Sequence, residues 1–247
     1  MIRRLFLSAL VAGLLAGLTV SALQAVTTVP LILQAESFEA AGEAAAPQAH
    51  TAGATAAHDH GSHSHGSHSH GADAWAPADG IERTVYTTIV NIVGATGFAL
   101  LLTAGFVLRG EQGGGRRGLL WGLAGFAAMT LSPALGLPPE VPGSVAADLA
   151  SRQLWWISAV VTAAAGLWLL AFGRSTLLKV AGVALLALPH VVGAPHPHGG
   201  EAGLAPPELA ARFAATSIVV SAVTWALIGW LSGTFYQRFG QPRGTTA

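Results

Sequence analysis

The chain has 247 residues, 52% of them hydrophobic and only 10% charged, with twelve basic residues balancing twelve acidic ones. Soluble domains carry about 25% charged residues, so this composition excludes an ordinary soluble domain, and a zero net charge gives nucleic acid no electrostatic foothold. Cysteine is absent, which removes disulfides and thiolate metal sites and argues against a soft metal such as copper(I).

A helix needs roughly 20 apolar residues to cross a hydrocarbon core, and six runs reach or approach that length. Arg3 and Arg4 precede the first, over residues 5–33. That run is longer than the 7–15 apolar residues of a cleaved signal peptide, so a retained helix over 1–33 is expected. The others cover 84–108, 118–137, 154–172, 177–192 and 213–235, giving a five-helix block over 84–239 and a short tail at 240–247. Between the first two runs, residues 34–83 are rich in Ala, Gly, Ser and His. They are expected to form a disordered loop, because few of them can build a core. The fold class expected is therefore all-α, a polytopic helical membrane protein of about six spans.

Orientation follows from charge. With the N-terminus in the cytoplasm, nine of the twelve basic residues fall inside, leaving only Arg83, Arg152 and Arg212 outside. An excess of Lys and Arg marks the cytoplasmic side, so both termini are expected there and the histidine-rich loop in the periplasm. The odd-numbered runs open on basic residues and meet Pro30, Pro133 or Pro189 near their outer ends. The even-numbered runs follow an acid with arginine four residues on: Asp79 and Arg83, Asp148 and Arg152, Glu208 and Arg212. That spacing puts both charges on one helix face and suggests three tandem helical hairpins.

Small residues recur at every fourth position in Ala9, Gly13, Gly17 and Ser21, in Gly118 and Gly122, and in Gly229 and Gly233. Such stripes let helix backbones approach closely in lipid. Polar residues also align at helical spacing: Gln24 with Thr28, Thr88 with Asn91, Ser158 with Thr162, and Ser217 with Ser221 and Thr224. Hydrogen bonding between helices is the first expectation for them, and the lining of an ion path the sharper alternative.

The densest chemical signal is the tract 58–70, in which His58, Asp59, His60, His63, His65, His68 and His70 are spaced by glycine and serine. Neutral imidazole suits zinc, nickel, copper(II) and cobalt(II). An open alternating chain can wrap such an ion but imposes no geometry, so the tract selects metals in general. Because imidazole titrates near pH 6.5, acid should weaken capture. A second group, His190, His196 and His198, lies among Pro189, Pro195 and Pro197 where the fifth run leaves the membrane. Proline breaks helical hydrogen bonding, and an ionisable group in a membrane segment is a candidate functional residue. Glu36, one turn from Glu39, is a further candidate ligand. No phosphate-binding loop, HExxH helix or cofactor fingerprint is present, so neither an enzyme nor a tightly bound cofactor is expected.

Several blocks resemble one known family, the predicted cobalt transporter subunit CbtA. They include RRLFLSALVAGLLAG, VPLILQAESFE, WAPADGIERT after the histidine tract, RRGLLWGLAGFAAMTLSPALGLPPEVPG, DLASRQLWW, ALPHVVGAPHP and PPELAARFAA. The most specific surround residues 131–142 and 188–197. The resemblance implies a bacterial inner-membrane protein that imports cobalt(II) for cobalamin synthesis, with a small single-span, histidine-bearing partner, CbtB. It supplies no settled set of binding residues. The competing readings are a nickel or zinc permease and a membrane-anchored metal sensor that moves no ion.

Overall fold

The computed structural model describes residues 2–45, 77–110, 113–197 and 203–240, and every regular element among them is helical. In chain order these are α1 (Ile2–Val26), α2 (Thr28–Ala45), α3 (Ile81–Leu108), α4 (Gly115–Phe126), a π turn (Ala127–Leu131), a final turn α5 (Ser132–Ala134), α6 (Leu149–Phe172), α7 (Thr176–Val192) and α8 (Pro207–Arg238). Helices α1, α3, α6 and α8 are each long and apolar enough to cross a bilayer. The chain is a membrane protein. The fifth expected run forms α7, whose 17 residues rise about 25 Å, a little short of the hydrocarbon core. The third is α4 continued through the π turn and α5. Pro133 lies two residues beyond that turn, and its missing N–H denies the preceding turn a hydrogen bond.

The first expected boundary shifts. Helix α1 ends at Val26, and α2 runs on to Ala45, through twelve positions assigned above to a disordered loop. Pro30 falls in the first turn of α2, where a missing N–H costs nothing. Leu31 and Ala35 of α2 pack with Val141 and Leu209 in a small core flanked by Phe38 and Phe213. An apolar seam thus runs along a segment whose overall composition looks unable to form one. The tract 58–70 lies outside the described residues.

The principal packing pairs are α1 with α3 and α8, α4 with α8, and α6 with α7. Three hairpins in chain order would instead place α4 on α6 and α7 on α8. The small-residue stripes explain the observed pairing. A Cβ at Gly13 would strike the backbone of Thr96, and one at Gly17 that of Ile92, so α1 lies backbone to backbone on α3. Gly118 and Gly122 of α4 interlock with Gly229 and Gly233 of α8 in the same way, and the Gly114 N–H donates to the Gly233 carbonyl at 2.8 Å. Between these helices lies the main core, built around Ala9, Ala12, Ala16, Ala99, Phe106, Trp225 and Ile228.

Charges divide the ends of the bundle. Arg4 reaches the Tyr236 carbonyl and ring, and Arg109 lies 4.2 Å from the Phe172 ring centroid, marking one basic end. At the other end Arg83 pairs with Glu36 at 2.5 Å and Asp79 at 3.3 Å, and Arg152 with Glu140 at 2.7 Å. The Asp79–Arg83 pair expected from spacing is present. Asp148 departs from its expected pairing with Arg152. It caps α6, accepting from the Ser151 N–H and hydroxyl, each at 2.9 Å.

Candidate functional site

A cavity of about 500 Å³ opens inside this apolar bundle, between α1, α2, α3, the π turn and α8, with Trp156 of α6 also in its wall. Its polar lining comes from Gln24, Thr28, Asn91, Thr130, Ser217, Ser221 and Thr224. Six of these seven belong to the aligned polar rows of the sequence. Asn91 both joins two helices and faces the cavity: its Nδ2 donates to Gln24 Oε1 at 2.7 Å and to Ser21 Oγ at 3.0 Å, tying α3 to α1. The remaining row does neither: Ser158 and Thr162 bond back to their own helix at 2.7 Å.

The lining contains amide and hydroxyl groups but no ionisable side chain. Neutral dipoles do not offset the cost of burying a bare divalent ion. An ion keeping six waters fits, needing about 180 Å³ at roughly 30 Å³ per water. The cavity therefore suits a hydrated cation, with side-chain oxygens as outer partners.

The π turn carries the only sulfur in the lining. It presents consecutive residues Met129 and Thr130 to the cavity, and Thr130 Oγ1 accepts from Trp225 Nε1 at 3.2 Å. Nothing in the sequence marked Met129, Thr130 or Trp225 as site residues; Pro133, noted only near the outer end of the third run, was the nearest signal. A second cavity, of about 610 Å³, lies toward the basic end. Its walls are mainly apolar, with Leu102, Trp121, Ala128 and Phe172 among them and Arg117 alone ionisable.

His190 stands outside both cavities. It is exposed near the end of α7, with Nε2 3.5 Å from Ser132 Oγ and its ring edge-on to Trp155 at 6.1 Å. Trp155 Nε1 donates to the Pro189 carbonyl at 3.2 Å, which also accepts from the Gly193 N–H at 3.0 Å. His190 is thus held next to a braced proline, beside the turn that follows the π segment. His196 is exposed on the extended stretch beyond α7, and His198 lies outside the described residues. Glu36 is engaged by both terminal nitrogens of Arg83. No group of three or more metal-ligating side chains forms among the described residues, so Glu36, His190 and His196 do not assemble into one site.

A family model, described as "Probable cobalt transporter subunit (CbtA)", matches residues 2–237. The chain belongs to the CbtA family. No curated protein and no solved structure matches it. Within CbtA, the term subunit implies a further component of the transporter, and cobalt is the ion that the family description names.

Proposed function

We propose that this chain is the conducting component of a transition-metal uptake system, with cobalt(II) as its cargo and cobalamin synthesis as the use. The observation that carries this reading is the polar cavity within a bundle whose core is otherwise mainly apolar. It offers a hydrated divalent ion a place inside the membrane without a charged cage. The protein lies in the bacterial inner membrane with six crossings, counting α7 and the composite helix over 115–134. Its basic end is cytoplasmic, following the positive-inside rule, and its acidic end periplasmic.

On that side the tract containing His58, Asp59, His60, His63, His65, His68 and His70 collects ions, and His190, followed in the chain by His196 and His198, passes them toward the cavity. Glu36 acts as a ligand only when Arg83 releases it. The single-span, histidine-bearing CbtB is the proposed partner. The test is uptake of labelled cobalt into vesicles holding this chain, alone and with that partner. Cobalt flux is expected, and flux of nickel or zinc in preference would reassign the cargo. His190→Ala should lower flux about tenfold, equivalent to one ligand interaction of about 1.4 kcal/mol. Deleting residues 58–70 should matter only at low metal. Metal binding without flux in either preparation would overturn the reading in favour of a sensor.

A further inference from the structure

The polar cavity and the apolar cavity share two wall residues, Met129 and Trp225. We infer that these two side chains form the closed partition of the permeation path and set the barrier to crossing it. This rests on the transport reading above.

Trp225 is the fixed leaf. It is 6% exposed, its indole N–H is held by Thr130, and its ring lies against Phe98 with centroids 4.7 Å apart. Gly125 leaves the room its ring occupies, since a Cβ there would run into the indole. Met129 is the movable leaf. It is only half-buried, unbranched, and turns about three side-chain bonds.

The π turn brings the two together. Thr130 anchors the indole while its neighbour Met129 faces both cavities. A thioether and an indole in one shared wall offer water almost no hydrogen bonds, and hydrophobic constrictions close pores by dewetting. A hydrated cation in the polar cavity therefore meets an apolar floor, below which lies a mainly apolar space ending at Arg117. Crossing requires Met129 to swing aside and water to fill the gap.

The absence of native cysteine makes the partition directly testable. Ser221→Cys places a thiol in the polar cavity and Ala124→Cys one in the apolar cavity. Each single-cysteine protein, in vesicles, is treated with a membrane-impermeant maleimide from one side or the other. Ser221→Cys should react only from the acidic end and Ala124→Cys only from the basic end. Adding Met129→Ala should let each react from the formerly closed side at least about tenfold faster.

Met129→Leu, which conserves volume, should keep the two sides separate. Trp225→Phe, which removes the bond to Thr130, provides a second route to a leak should Met129→Ala fail to fold. Unchanged sidedness in both leak variants would overturn the inference. So would reaction of Ala124→Cys only with a lipid-soluble maleimide, because that would open the second cavity to the bilayer. Labelling reads the partition and cobalt flux reads the cargo. Sidedness as expected in vesicles that move no cobalt would thus condemn the transport reading and leave the partition standing.

Discussion

Helices α4 and α8 touch at the level of their backbones, whereas the α6–α7 pair joins the rest of the bundle mainly through the π turn and α5. Both pairs are sealed internally by glycine, at Gly118 and Gly229 in the first and at Gly166 and Gly182 in the second. The difference lies in what each pair is attached to. The α4–α8 pair belongs to the frame built with α1 and α3. Helix α6 borders the apolar cavity, and its pair with α7 is fastened by a few side chains, including Trp155 against Gly136 and His190 beside Ser132 near the acidic end. Tight backbone seams fix a frame, while side-chain fastenings leave a part that can shift.

The sharpest way to break this contrast is to push a side chain into the frame. Gly118→Leu directs its side chain at the Gly229 carbonyl, and overpacking against backbone costs about 1–3 kcal/mol or more. It should abolish the single folded peak on size-exclusion chromatography. Gly94→Ala, with nothing within 4 Å of the added carbon, should leave that peak intact. A weaker effect is expected inside the hairpin, where a side chain of α6 holds α7. Trp155→Phe removes the indole bond to the Pro189 carbonyl, worth about 1 kcal/mol. It should lower the melting temperature by about 2–4 °C and alter cobalt flux without changing oligomeric state.

Smaller again is Glu36→Gln. The Glu36 and Arg83 side chains are 36% and 32% exposed, and pairs of that kind contribute about 0–1 kcal/mol. At the middle of that range the loss is a melting shift of about 1–2 °C, and the difference from wild type should shrink in high salt.

The smallest effect belongs to Asp148. Donation from the Ser151 N–H and hydroxyl holds its carboxyl below the usual carboxylate range. A lowered folded value means that the cap stabilises above the unfolded value and is lost as pH falls through the folded one. Asp148→Ala should therefore depress the melting temperature slightly at neutral pH. The difference from wild type should vanish in acid, read as two melting curves converging as pH drops.

Much of the frame was legible in the sequence because membrane helices announce themselves locally. A long apolar run can satisfy its backbone in few other ways, and Gly118, Gly122, Gly229 and Gly233 are spaced for close approach. The polar rows at Gln24, Asn91, Ser217, Ser221 and Thr224 were also readable as rows. Their convergence on one cavity was not, since it depends on the rotation of each helix about its axis.

Helix α2 was hidden because the seam formed by Leu31, Ala35 and Phe38 acquires meaning only against Val141 and Leu209, far along the chain. Likewise Asp148 and Arg152 have the spacing of a pair, yet a nearer N–H and a distant Glu140 compete for them. The π turn had least signal of all. Pro133 explains a disturbance there, but its form and the inward placement of Met129 follow from tertiary packing against α8.

The π turn also has a consequence for which changes the chain can accept at residues 127–131. A π turn accommodates one residue more than an α-helix would over the same stretch. Deleting a single residue there would restore regular winding and rotate one side of the helix against the other by about 100°. The glycines of α4 would then lose their register with α8, or Ser132 would turn from His190. Residue count at this point is consequently as constrained as residue identity, and length variation in this protein should be confined to its loops.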